Sequence, residues 1–110
     1  MIALTGSARV FIYGQPVDMR KGFEGLGALV EQAFSESLVA GGYFAFLNRR
    51  QDRIKVLYWD GDGLTIWYKR LERGAFRASQ VGHRQVGRRE FLMLLEGVTP
   101  QRMNRRYNIA

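Results

Sequence analysis

No cysteine occurs in the 110 residues, so neither a disulfide nor a thiolate metal site can be built. Histidine is almost as scarce. His83 is the only one, and a metal site resting on a single imidazole would need further ligands that no cysteine can supply. Long apolar runs are also missing: charge or glycine interrupts each of them well short of the roughly 20 residues that a membrane span needs. The first residues lack a basic segment followed by an apolar stretch, so no secretory signal is evident and a cytoplasmic protein is expected. The two prolines sit in Gly14-Gln-Pro-Val17, which reads as a turn, and at Pro100, beyond the last helical segment.

What is present points to a folded chain. An apolar fraction of 46% with 13% aromatics is too rich for disorder, and the length suits one domain with a modest core. That domain is expected over residues 1–98. Residues 99–110, with Arg102, Arg105 and Arg106 and few apolar anchors, read as a basic mobile tail. The net charge of +7 is unevenly spread. Residues 1–48 hold three basic and four acidic side chains, net −1, whereas residues 49–110 hold fourteen basic and six acidic ones, net +8. Fourteen of the seventeen basic residues are arginine, whose planar fork suits phosphate and guanine edges. Nucleic acid is the leading partner on electrostatic grounds. A membrane surface is disfavoured by the lack of a basic amphipathic helix, and the plain alternative is a soluble protein that is merely arginine-rich.

Along the chain, Ala8–Tyr13 reads as a strand. A helix over about 19–34 follows, started by Asp18 as cap and carrying Met19, Phe23, Leu26, Val30 and Phe34 on one stripe. Gly22, Gly25 and Gly27 are costly in a helix, and their clustering suggests close packing against another backbone. Tyr43–Asn48 reads as a second strand. Strands at about 53–59 and 64–70 flank Asp60-Gly-Asp-Gly63, a strong local signal for a β-hairpin. Residues 72–85 suit an extended loop or a short edge strand. Residues 88–96 form a second helix with Phe91, Leu94 and Leu95 inward and Gly97 as its stop. The expected fold is α+β: an antiparallel sheet of four or five strands with two helices packed on one face. The alternative is a half-open barrel of the same strands.

In the hairpin, Val56, Tyr58, Ile66 and Tyr68 are expected on one face, and Lys55, Trp59, Trp67 and Lys69 on the other. Arg49, Arg50, Arg53 and Lys55 begin at one end, and Lys69, Arg70 and Arg73 return to it if the strands pair. Arg77, Arg84, Arg88 and Arg89 extend this set; the acids Asp52, Glu72 and Glu90 do not offset its eleven cations. Arg88 and Arg89 at a helix start are electrostatically awkward unless an anion is near. Trp59, Trp67 and Tyr68 permit base stacking, although a protein interface is the preferred reading of Trp59 and Trp67. Asp60 and Asp62 invite comparison with a two-metal nuclease, but both lie in one tight turn that Asp-Gly already explains. His83, beside Arg84, reads as solvated or facing nucleic acid, with no partner for acid–base work.

Four blocks carry a resemblance: Asp18-Met-Arg-Lys-Gly-Phe-Glu-Gly-Leu26, Arg53-Ile-Lys-Val-Leu-Tyr-Trp-Asp-Gly-Asp-Gly-Leu64, Lys69-Arg-Leu-Glu-Arg-Gly-Ala-Phe76 and Leu94-Leu-Glu-Gly-Val98. In this order, from about Met1 to Val98, they resemble the TnpB accessory proteins encoded by the second open reading frame of insertion sequences of the sixty-six family. These are distinct from the RNA-guided nucleases that share the TnpB name. The resemblance implies a non-catalytic accessory factor of bacterial DNA transposition, encoded beside a separate transposase. It carries no catalytic residues and no cofactor. The implied partners are the insertion-sequence ends, the transposase and other proteins of the same element. The competing readings are a small metal-dependent nuclease using Asp60 and Asp62, and a pure protein adaptor whose cations only confer solubility.

Overall fold

Two cores, one on each side of a single sheet, organise the chain. The computed structural model describes residues 2, 4, 6–78 and 82–96. Its elements are β1 (Arg9–Ile12), α1 (Phe23–Ala33), a 3-10 turn at Leu38–Ala40, β2 (Gly42–Leu47), β3 (Arg53–Trp59), β4 (Leu64–Arg70), β5 (Arg84–Val86) and α2 (Arg88–Leu95). The five strands form one sheet in the order β4-β3-β2-β1-β5. The expected basic tail at 99–110 and the stop at Gly97 lie outside the described residues. No described helix is long and apolar enough to cross a membrane.

The α+β class and the β2-β3-β4 meander agree with the sequence, and residues 84–86 supply the short edge strand. The sheet is mixed rather than wholly antiparallel, because β1 runs parallel to β2 in the register Arg9↔Gly42 to Ile12↔Ala45. The reason is connectivity: α1 stands between the two strands, and a helical crossover returns the chain to the same end of the sheet. Beyond β1, Tyr13 N–H donates to the Ala45 carbonyl at 2.9 Å and Val17 N–H to the Leu47 carbonyl at 2.8 Å, extending that edge.

The helices do not share a face. Strand side chains alternate, and Phe11, Phe44, Phe46 and Leu57 meet Leu26 and Val30 of α1. Val10, Ile12, Ala45, Leu47, Ile54 and Val56 meet Phe91, Leu94 and Leu95 of α2 on the opposite side. Interior strands apolar on both faces are what a sheet between two layers requires. The half-open barrel is thereby set aside. Phe23, expected in the core, is instead half exposed at the first turn of α1.

Helix α1 also starts later than expected. The Asp18 carboxylate accepts from Arg20 N–H at 2.9 Å and pairs with its guanidinium at 2.7 Å, so it closes a local turn. Those bonds hold Asp18 down to a pKa of about 2, so it remains ionised over the working pH range. The cap is Gly22, with no side-chain hydrogen bond. The glycine cluster is not a site of close backbone approach: a Cβ on Gly22 would meet nothing within 4 Å, and one on Gly27 only the Leu38 side chain at 3.7 Å.

Candidate nucleic-acid interface

The turn between β2 and β3 is built by its own polar side chains. Asn48 accepts from Arg53 N–H through Oδ1 at 3.0 Å, and its amide donates to the Asp52 carboxylate at 2.6 Å. That bond, assisted by the charges of Arg50 and Arg53, lowers the Asp52 pKa below the ordinary carboxylate value. Gln51 adopts a left-handed conformation (φ 58°), and its N–H donates to the Asn48 carbonyl at 3.0 Å. The turn then receives the segment after β4. Leu71 N–H donates to the Asp52 carbonyl and Phe76 N–H to the Gln51 carbonyl, both at 2.7 Å. The Gln51 amide donates to the Ala78 carbonyl at 3.0 Å. Two loops that both carry arginine are therefore fixed to each other.

This framework gathers Arg49, Arg50, Arg53, Arg70, Arg73 and Arg77 at one end of the sheet. Arg53 and Arg70 are directly opposite in the β3–β4 register. Facing like charges across an antiparallel pair are destabilising unless an anion or a counter-charge intervenes. Among the described residues only Arg70 of these six forms an ion pair, with Glu72 at 3.3 Å. An open hollow of ≈ 480 Å³ is lined by Val17, Asp18, Met19, Asn48, Arg49, Arg50, Asp52 and Arg53. A second, of ≈ 410 Å³, is lined by Arg53, Tyr68, Arg70 and Glu72.

The other expected basic residues lie elsewhere. Lys55 is only 9% exposed; its ammonium donates to the Lys21 carbonyl at 2.8 Å and lies 4.9 Å from the Tyr68 ring centre. It joins β3 to the segment before α1. Lys55→Met is accordingly expected to cost about 1–2 kcal/mol of stability, as for loss of a charged hydrogen bond, read from denaturant midpoints. Lys69 is on the opposite face, where its ammonium donates to the Leu95 carbonyl at 3.3 Å and complements the C-terminus of α2. Arg88 and Arg89 are exposed in the first turn of α2, at the edge where β5 ends. Since β5 pairs with β1, that position is across the sheet from β4 and at its other end. Nearby, Arg84 pairs with Glu90 at 3.1 Å.

The face assignment of the hairpin is corrected by its register. Asp60 N–H donates to the Gly63 carbonyl at 2.8 Å, and Gly61 takes the positive φ of 82°. Closing the turn between these residues pairs Trp59 with Leu64 and Val56 with Trp67, so odd numbers face even ones. Trp67 therefore joins Val56 on the α2 side, half buried against that core. Trp59 is on the other side, above an open hollow of ≈ 420 Å³ with Leu38, Val39 and Leu64. The two tryptophans do not form one surface. Tyr68, expected on one face with Val56 and Tyr58, is on the opposite side from them and is 47% exposed beside Arg53 and Lys55. Asp60 and Asp62 stay within the turn, and among the described residues no group of three or more potential ligands is placed to hold a metal.

His83 has a role the sequence did not suggest. Its Nδ1 accepts from Gly14 N–H at 2.8 Å, and its ring lies 4.3 Å from Tyr13 and 5.6 Å from Phe34. An accepting Nδ1 requires the neutral ring. The imidazole is exposed, yet it ties β5 to the end of β1.

The five-stranded α+β domain thus carries an arginine-rich end. Residues 8–105 match the family described as IS66 Orf2 like protein. The chain belongs to that family, and with membership comes a transposition-associated accessory role; the resemblance seen in the four sequence blocks holds. It is 36% identical over 108 residues to the uncharacterized protein y4jC of Sinorhizobium fredii (strain NBRC 101917 / NGR234), covering 96% of this chain and 92% of that one. It is also 36% identical over 70 residues to the uncharacterized protein y4hO of the same strain, covering 64% of this chain and 61% of that one. No solved structure matches.

Proposed function

We propose that this protein is a non-catalytic accessory factor that binds the DNA backbone during transposition of its insertion sequence. The arginine end is the contact surface. The observation that carries this is the facing Arg53–Arg70 pair, flanked by Arg49, Arg50 and Arg73 on loops that Asn48 and Gln51 hold in place. A phosphate between such guanidiniums removes their repulsion and accepts their forked donors. Both helices bury their apolar residues against the sheet. Sequence choice then comes from the transposase or from DNA shape, while the arginines supply position.

The test is the salt dependence of binding to terminal DNA of the element and to random DNA of equal length. Arg50→Ala with Arg70→Ala should weaken both similarly and lower the salt slope by about one for each phosphate no longer neutralised. Glu72→Gln, which removes the carboxylate competing for Arg70, should strengthen binding. Lys55→Met should leave the slope unchanged. If the double arginine variant keeps affinity and slope while transposition fails, the surface docks a protein and the adaptor reading replaces this one.

A further inference from the structure

We infer that Tyr68, Arg53 and Arg70 form a site for one unpaired nucleotide, with the base stacked on Tyr68 and its phosphate between the two arginines. This rests on the nucleic-acid reading above and narrows it from a charged backbone to a nucleotide whose base is free of pairing.

Three observations meet at this point of the sheet. Tyr68 is an aromatic ring left 47% exposed where its strand neighbours Ile66 and Leu64 join the α1-side core. One side of the ring is occupied: Lys55, its partner in the strand register, places its ammonium 4.9 Å from the ring centre. The rest of the exposed ring borders an open hollow. Two cations lie beside it. Arg53 Nη1 approaches the Tyr68 hydroxyl at 3.4 Å, and Arg70 is opposite Arg53. The hollow these residues line with Glu72 has a volume of ≈ 410 Å³, within the range of about 300–1,000 Å³ of small-ligand sites.

Duplex DNA does not use such a platform, because its bases are stacked on one another and only their edges are exposed. An unpaired base offers its face, and a ring fixed from below by a buried ammonium loses little freedom on receiving it. Aromatic platforms beside cations are the common means of holding single strands, and they tolerate any base because every base has a π-face. Arg53 and Arg70 provide two forks for the adjoining phosphate. Glu72 is the internal competitor, as its carboxylate takes the place of an anion on Arg70.

The full-length protein is titrated with fluorescein-labelled oligo(dT), oligo(U), an abasic oligonucleotide of equal length, and a duplex. Tyr68→Ala is expected to lose about 5- to 150-fold in affinity for oligo(dT), the range for one stacked base, and nothing on the abasic strand or duplex. Tyr68→Trp should retain binding, and the melting temperature of each variant shows that the exposed substitution leaves the fold intact. Equal losses on oligo(dT) and oligo(U) support a base site indifferent to the sugar; a loss confined to one assigns the strand. An unchanged affinity for both oligo(dT) and oligo(U), or the same loss on the abasic strand as on these, overturns the inference. Binding of single strands and duplex alike that requires Arg50 and Arg70 but is unmoved by Tyr68→Ala overturns the nucleotide site alone. Failure of the wild-type protein to bind any of the four overturns the DNA reading with it.

Discussion

Gly14→Ala is expected to destabilise the protein by about 3 kcal/mol, a large share of the stability of a domain this size. A Cβ at this position would lie 2.0 Å from the carbonyl carbon of Gly82 and 2.1 Å from its oxygen. Those are backbone atoms, so no rotamer change clears the overlap. The end of β1 and the start of β5 would have to part. Parting them also breaks the Gly14 N–H to His83 Nδ1 bond of 2.8 Å, worth about 1 kcal/mol on its own. Gly27→Ala is the matched control. Its Cβ would make only an ordinary 3.7 Å contact with Leu38, and alanine in a helix interior gains about 1 kcal/mol over glycine. Urea midpoints of the two variants should therefore move in opposite directions. A Gly14→Ala protein within about 1 kcal/mol of wild type would show that the Gly14–Gly82 approach does not exist in solution.

The contrast between these glycines marks what the sequence could and could not disclose. Three glycines close together near α1 suggested tight packing, yet they meet no neighbouring backbone; the glycines that do touch are 68 positions apart in sequence, at Gly14 and Gly82. Local signals were legible. The strands on either side of Asp60-Gly-Asp-Gly63 run over Arg53–Trp59 and Leu64–Arg70, as their alternation indicated. Their relative register was not readable from alternation alone. Because the turn closes between Asp60 and Gly63, each odd-numbered residue faces an even-numbered one. That shift of one places the tryptophans on opposite faces and brings Tyr68 out beside the arginines.

Charge was legible in the same uneven way. The concentration of arginine after residue 48 is a property of composition and needs no structure. Which cations share a surface depends on strand parity and on partners far along the chain. Arg53 and Arg70 share a face. Lys55 is drawn inward by a carbonyl on the segment before α1, and Lys69 is drawn to the end of α2. Asn48 and Gln51, uncharged and unremarkable in sequence, do more to set the arginine end than either lysine. Their signal was limited to a polar turn; its locking requires the segment from Leu71 to Ala78, which pattern alone did not attach.

The second large effect is expected in the two cores. Phe44 is fully buried, stacked on Phe11 at 5.1 Å and tilted against Phe34 at 5.4 Å. Phe91 is equally buried, but among residues on the other side of the sheet. Phe44→Ala and Phe91→Ala should each cost about 3–5 kcal/mol, a large share of the stability of a domain this size. The milder leucine variants allow the layers to be separated by double-mutant cycles. Phe44→Leu and Phe91→Leu act on different layers, so their effects should add within about 0.5 kcal/mol. Phe11→Leu and Phe44→Leu remove two stacked rings and should depart from additivity by about 0.5–1.5 kcal/mol. A coupling above about 1 kcal/mol between Phe44 and Phe91 would mean that they share one core. That result would return both helices to a single face of the sheet.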